Sequence, residues 1–455
     1  MIPDKTFPET FTDSDRKKSP FCPPSGSGSV GSFPFVVRSC VAMSIEHMDF
    51  DHRHAPRLSC SHTRHQSKNV FRLFFNLISW GIVLYVEFLY YSVKIFTLPF
   101  AYFFGMFFGL FGNYLRLPQP TREALERAEK ELLSEAAKTA RIQHFTTEVL
   151  QRRSFLHSIR CDGLDSSTYR EDRIPLVLLH ELGGGVGCWA RNLGELANDR
   201  PTYALDLLGF GKSGRYDTSP CATLTELDYV TSIEEWRREM GIEKMILVGQ
   251  SFGGFIAASY SLEHPSKVRH LILVEPWGFE EEPHVYENLI QVPIWMKGVA
   301  FLPSMFLPLF FVRIVGPLAP RVFRMFSANL MRNFAPWRPA AFSHYFYQCN
   351  AQDPSGERSF QTMSHFCWPR RPMIQRFVNV SSKLPVTFIL GSRSNYNREV
   401  VKEIQEKRPD SYTYVQEIWC GSRPHCERPE EFNNDVLCVA QLVDRNADLL
   451  QPENF

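Results

Sequence analysis

The chain has 455 residues, more than one ordinary domain needs, so a catalytic-type domain with additional segments is expected. Lys+Arg (50) nearly equals Asp+Glu (49), and the net charge of +1 gives no general electrostatic argument for a nucleic-acid partner. The 11 Cys are scattered, with no Cys-x-x-Cys pair and no zinc-like spacing, which argues against a disulfide framework and points to no metal centre or cofactor.

Taken in chain order, residues 1–68 read as a disordered tail. Met1 to Lys18 is polar and charged, without the apolar stretch of a secretory signal. Pro23, Pro24 and the Ser/Gly run from Ser25 to Ser32 resemble linker. Arg53, His54, Arg57, Arg64, His65 and Lys68 form a basic patch, either a solvated tail or an attraction to anionic lipid headgroups. Residues 69–117 are strongly apolar and aromatic. Two arms, Leu73 to Tyr91 and Ile95 to Phe111, are each about 17–19 residues long, near the lower limit for spanning a ~30 Å hydrocarbon core. Two transmembrane helices, a hairpin dipping into a membrane leaflet or lipid droplet, and a buried core pair all fit. The scarcity of polar positions favours membrane or lipid-surface association, and Pro99, Glu87 and Lys94 favour the hairpin over clean spans. An intracellular location follows. A soluble protein that packs this block on its own core is the weaker reading.

Residues 118–170 read as an exposed helical connector and a leading strand. After Glu171 short apolar runs alternate with helical stretches: Pro175 to Leu179, Thr202 to Leu207, Met245 to Gly249, Val268 to Val274 and Pro385 to Leu390. Runs apolar on both faces and separated by helices predict an α/β, doubly wound, mostly parallel sheet. It occupies 171–279 and 376–445. Residues 280–375, rich in Phe, Pro, Met and Arg, break the alternation and are expected to form a helical cap over the C-terminal edge of the sheet, where ligands bind in such folds.

Gly249-Gln250-Ser251-Phe252-Gly253 follows a strand-like run and precedes a helix-like one. That context is a nucleophile elbow, with Ser251 projecting above the sheet and Gly249 and Gly253 relieving a tight turn. His180-Glu181-Leu182-Gly183-Gly184-Gly185 follows the first strand-like run. In this architecture such a loop supplies one oxyanion donor, Leu182 here, and the residue after the serine supplies the other, Phe252. No Gly-Lys-Ser/Thr ending supports a phosphate loop. Asp206 to Ser213 is read as a structural strand end.

The segments Pro175 to Ser213, Ile246 to Phe279 and Pro354 to Glu357, with Pro429-Glu430-Glu431-Phe432, resemble the alpha/beta-hydrolase-domain-four/five family over about residues 170–445. The resemblance implies an α/β-hydrolase fold and lipid handling. Its members are lysophospholipases of N-acyl ethanolamine phospholipids, or lipid-droplet regulators of triglyceride lipase with lysophosphatidic acid acyltransferase activity. The family's catalytic acid position falls on Asn397, its His position on Ser422 and the Asp of its His-x-x-x-x-Asp motif on Glu427. Where the family has Gly beside the oxyanion loop, this chain has Glu181, whose carboxylate would repel an oxyanion unless it points away. His425 lies three residues beyond the His position and is the candidate displaced base, oriented by Asn397 or Glu275. His157 to Asp162 also fits His-x-x-x-x-Asp, but lies far from the family's location and is taken as coincidence. Two functions follow. One is a serine hydrolase or acyltransferase acting on a lysophospholipid or other lipid acyl ester at a membrane or lipid droplet. The other is a pseudoenzyme that binds lipid or a lipase partner.

Overall fold

The computed structural model describes residues 120–165, 167–282, 308–365 and 368–448, together with Tyr85 and Ser92. The tail and nearly all of the apolar block of 69–117 lie outside the described residues. Among the described residues no helix is long and apolar enough to cross a membrane.

Eight strands form one sheet: β1 (Ala140–Val149), β2 (Ser154–Gly163), β3 (Leu176–Leu179), β4 (Thr202–Leu205), β5 (Met245–Gln250), β6 (Val268–Val274), β7 (Val386–Gly391) and β8 (Thr413–Ile418). The spatial order is β1-β2-β4-β3-β5-β6-β7-β8. β1 and β2 pair antiparallel to each other, β2 pairs antiparallel to β4, and every pair from β4 to β8 is parallel. The five apolar runs of the sequence are β3 to β7. Every residue of β3, β4, β5 and β7 is buried.

Burial on both faces follows from the period of two along each strand. Val177, Leu179, Leu205, Leu247 and Leu273 enter one core, against Tyr229, Ile233, Trp236, Phe252 and Phe255. Their neighbours Leu176, Leu178, Ala204, Ile246, Val248 and Ile272 enter the other, against Trp189, Phe432 and Val436. α1 (Arg122–Leu132) lends Leu125, Ala128 and Leu132 to the second core, whereas α2 (Ala222–Glu239) and α3 (Phe252–Glu263) cover the first. Burying each such large side chain contributes about 1.5–3 kcal/mol. The described part of the insert is helical and includes α4 (Pro339–Asn350); a short antiparallel pair, Ser364–His365 with Trp368–Pro369, closes it. Then follow α5 (Arg398–Lys407), the one-turn α6 (Pro424–Glu427) and α7 (Pro429–Asp448).

α7 is anchored by a buried cation. The Arg200 side chain is fully buried and donates to Asp444 at 2.7 and 3.1 Å and to Asp199 at 3.1 Å. Removing Asp444 leaves a buried guanidinium with half its partners, a loss of the order of a charged hydrogen bond. Asp444→Asn is expected to destabilise the chain by about 2 kcal/mol, read as a lowered urea midpoint at unchanged slope.

Candidate active site

Ser251 links β5 to α3 with φ 49° and ψ −113°, a conformation disfavoured for a residue with a side chain. The surrounding bonds hold it there. Its N–H donates to the Val274 carbonyl at 2.9 Å, and its own carbonyl accepts from Gly254 (2.9 Å), Phe255 (3.2 Å) and Trp277 (3.1 Å). A Cβ on Gly253 would meet the Leu179 carbonyl oxygen at 2.5 Å, and one on Gly249 would run into the Gly253 carbonyl. Both contacts are with backbone, so neither glycine is replaceable without moving β3 or the helix. Among the described residues no side chain bonds the Ser251 hydroxyl.

The loop after β3 runs close to the elbow: a Cβ on Gly253 would meet the His180 carbonyl oxygen at 2.6 Å. His180 is fully buried; its Nδ1 donates to the Glu181 carbonyl at 2.7 Å and its Nε2 accepts from the Leu207 N–H at 2.9 Å. Burial pulls its pKa down, keeping the neutral tautomer that this bonding requires. Asn350 of α4 donates to the Gly183 carbonyl at 2.8 Å, and the Tyr345 hydroxyl accepts from the Gly187 N–H at 3.1 Å. The amides of Leu182 and of Phe252, the first residue of α3, are not taken up by any other group among the described residues. Free backbone amides are the donor type that stabilises a tetrahedral oxyanion.

Glu181 does not repel from this loop. Its two oxygens accept from Arg423 Nε at 3.0 and 3.1 Å, and the carboxylate in turn raises the Arg423 pKa. Ser422, at the family's His position, is exposed, and its carbonyl accepts from Gln250 Nε2 at 3.2 Å, one residue before the nucleophile. The loop therefore comes to the elbow, but with a hydroxymethyl where an imidazole is expected. Glu427 accepts from the Gly421 N–H at 2.8 Å and closes the loop on itself.

The activating residues expected from the sequence are not brought together. Asn397 is the exposed N-cap of α5: its Oδ1 accepts from the Glu399 N–H at 3.1 Å, and its own N–H donates to Glu280 at 3.3 Å. An Asn whose oxygen caps a helix is spent on that role. Glu275, with φ 44°, accepts from the Gly391 N–H at 2.6 Å. Burial raises its pKa. His425 is corrected most firmly. It lies in an aromatic box, with ring centroids 4.9 Å from Trp189, 5.7 Å from Phe334 and 6.2 Å from Phe432. It is buried, and neither ring nitrogen has a partner among the described residues, Ser251 included. Burial, aided by the Arg423 charge, lowers its pKa to about 3. A base must reach the proton it takes; in this arrangement His425 does not. Sequence reasoning gave Gln250, His180 and Arg423 no role, because each acts through a partner distant in sequence.

The model of the alpha/beta hydrolase fold family matches residues 174–403. The human 1-acylglycerol-3-phosphate O-acyltransferase ABHD5 is 41% identical over 276 residues, 60% of this chain and 79% of that protein. The human (lyso)-N-acylphosphatidylethanolamine lipase is 41% identical over 281 residues, 61% of this chain and 82% of that protein. The chain belongs to the alpha/beta-hydrolase fold family, in its domain-four/five branch. The crystal structure of the carboxylesterase CesB from Bacillus subtilis has a TM-score of 0.47 and 17% identity, covering 69% of this chain and 95% of that one.

The position of His425 has a thermodynamic consequence. A His buried in neutral form resists a proton that the unfolded chain takes up near its ordinary pKa of 6.5. Stability therefore falls as pH drops from about 6.5 and levels off near the folded value of about 3. His425→Phe removes one proton-uptake site and two unpartnered polar atoms. It is expected to flatten the pH dependence of unfolding free energy between those limits by about one proton, to leave stability at pH 7 equal or higher, and to leave any esterase activity unchanged. Denaturant unfolding across pH, beside ester turnover, checks all three.

Proposed function

We propose that this chain works in lipid metabolism on a lysophospholipid or another lipid acyl ester, bound with its ester carbonyl oxygen at the Leu182 and Phe252 amides and its carbonyl carbon facing Ser251. The observation that carries this reading is the complete elbow with two free amides beside it. The names of the relatives, an acylglycerophosphate acyltransferase and a phospholipid lipase, support the substrate class. Attack by the Ser251 hydroxyl on the ester carbonyl would break its C–O bond, release the alcohol portion of the lipid with the serine's proton and leave an acyl-enzyme, whose acyl group then passes to water or to an acceptor hydroxyl, returning the proton to Ser251. The apolar and basic segments of residues 1–117 support association with a membrane or lipid-droplet surface inside the cell.

A second reading, a regulator that binds lipid or a lipase partner without turning lipid over, is favoured by Ser422 and Asn397. A Ser triad without its base loses about 10⁶ in turnover, and an Asp-to-Asn change alone costs about 10⁴. The two readings separate on repair of the site. Ser422→His with Asn397→Asp is expected to raise lysophospholipid hydrolysis by at least about 10²-fold and to bring fluorophosphonate labelling, both abolished by adding Ser251→Ala. A repaired chain that binds lysophospholipid yet neither labels nor hydrolyses it would sink the acyl-ester reading. Wild-type turnover that survives Ser251→Ala would do the same. Wild-type binding without turnover, alongside a repaired chain that is active, would establish the regulator.

A further inference from the structure

Away from Ser251, a second group of chemically capable side chains gathers where α1 meets the β1–β2 hairpin. His144 of β1 and His157 of β2 lie diagonally across the ladder, since Thr146 is the partner of His157 and Ile159 that of His144. Their rings stack at 5.6 Å with an interplanar angle of 26°, and His144 Nδ1 lies 3.3 Å from His157 Nε2. Glu129 of α1 reaches the same point, with Oε1 3.7 Å from His144 Nδ1. One ligand atom from each of the three lies within 4.8 Å of the others.

We infer that Glu129, His144 and His157 bind a divalent transition-metal ion of the zinc class, with Asp206 as the residue that orients His157. Tetrahedral zinc with bonds of about 2.0–2.1 Å places neighbouring ligand atoms about 3.3 Å apart. The His–His edge already has that length, the Glu129–His144 edge of 3.7 Å closes by a small movement of the half-exposed His144, and the Glu129–His157 edge, within 4.8 Å, closes by a turn of the Glu129 carboxylate. That exposure also supplies the entry path from solvent. The second requirement of such a site is a partner on the far nitrogen of the ligating His. His157 meets it: Nδ1 bonds the buried Asp206 carboxylate at 2.8 Å, which turns Nε2 toward the other two ligands. Glu129 supplies the independent sign of an absent guest. Its carboxylate is buried, and Oε2 has no hydrogen-bond partner among the described residues.

The charged groups facing this point are Glu129, Asp206, Glu126 and Lys212, and the Lys212 ammonium lies 2.7 Å from Glu129 Oε1. The ammonium is the competitor. It neutralises Glu129, and a metal must share or displace it. A cavity of about 160 Å³, lined by Lys212 with Arg122, Arg215 and Gln352, gives the ammonium room to leave. The set of two His and one Glu leaves a fourth position for water. Because the ligands come from α1, β1 and β2, no spacing motif announces them. Asp162, at the end of the His157–Asp162 spacing, bonds Arg160 and Tyr169.

The test titrates the purified full chain with zinc chloride alone against a fluorescent chelator, and with cobalt(II) chloride by visible absorption. One equivalent of zinc is expected. His144→Ala and Glu129→Gln should each weaken binding at least about tenfold, a factor typical of lost metal partners. Lys212→Met should tighten it. The cobalt spectrum should show ligand-field bands without a thiolate charge-transfer band, which separates this site from the chain's 11 Cys. Zinc stoichiometry and affinity unchanged by His144→Ala and by Lys212→Met would overturn the proposal, as would no zinc binding or a thiolate-dominated cobalt spectrum. His144 is the safest variant for folding, and unfolding curves of each variant confirm that a loss of zinc is not a loss of structure.

Discussion

The carboxylate of Asp206, fully buried at the end of β4, sets the geometry of everything above the sheet. Oδ1 accepts from the Val186 N–H at 2.7 Å, and Oδ2 accepts from the Lys212 N–H at 2.8 Å and from His157 at 2.8 Å. Burial alone would push its pKa up. The His157 hydrogen bond and charge, with further donors, outweigh that and hold it at about 2. A buried anion with this many donors cannot move without stranding them. The loops on either side have to fit around it. A Cβ on Gly185 would meet Oδ1 at 2.7 Å, and one on Gly211, which has φ 50°, would strike the carboxyl group. Gly185 of the loop after β3 and Gly211 of the Gly209-Phe210-Gly211 turn are thus held to glycine in part by one carboxylate, whereas Gly209 is confined by Gly356. Through Val186 the same group fixes the end of the loop that presents the Leu182 amide.

The parallel part of the sheet was legible because its signal is local and strong. β3 to β7 are short runs apolar on both faces, and only burial between two helical layers explains them. The elbow was legible for a related reason: steric demand leaves glycine at Gly249 and Gly253 whatever the chemistry. β1, β2 and β8 were harder to read. β1 exposes much of its length, and β8 is an edge strand with exposed Tyr414. Neither carries an apolar run. The turn between β1 and β2 passes through Leu150, Gln151 and Arg152, all with positive φ, without a Gly or Asn to mark it. Tertiary contacts enforce that turn, and such contacts are not visible in a window of sequence.

The site was legible in its fixed half and not in its variable half. The elbow conformation of Ser251 and the helix start at Phe252 are set by the fold itself. The fate of Glu181 depended on Arg423, 242 positions away, and that of His425 on whether Trp189, Phe334 and Phe432 would enclose it. Counting positions in the loop could show that a His was displaced. It could not show that three residues of displacement on a one-turn helix carry the ring off the elbow and into the core.

The departures from the family pattern are not isolated losses. A group that merely lost its catalytic partner would be left unsatisfied or loose. Here Glu181 is paired with Arg423, the Asn397 oxygen caps α5, Glu427 binds the Gly421 amide, and the Ser422 carbonyl holds Gln250. Two of these bonds, Arg423 to Glu181 and Gln250 to the Ser422 backbone carbonyl, fasten the loop of 421–428 to the loop after β3 and to the residue before Ser251, and Glu427 closes the loop on itself. A catalytic His has to accept a proton from the serine and then give it to the leaving group, so it needs a ring free to face both. The loop in this chain instead spends its polar groups on holding position. Among the described residues, no side chain bonds the Ser251 hydroxyl, and the Leu182 and Phe252 amides have no other partner.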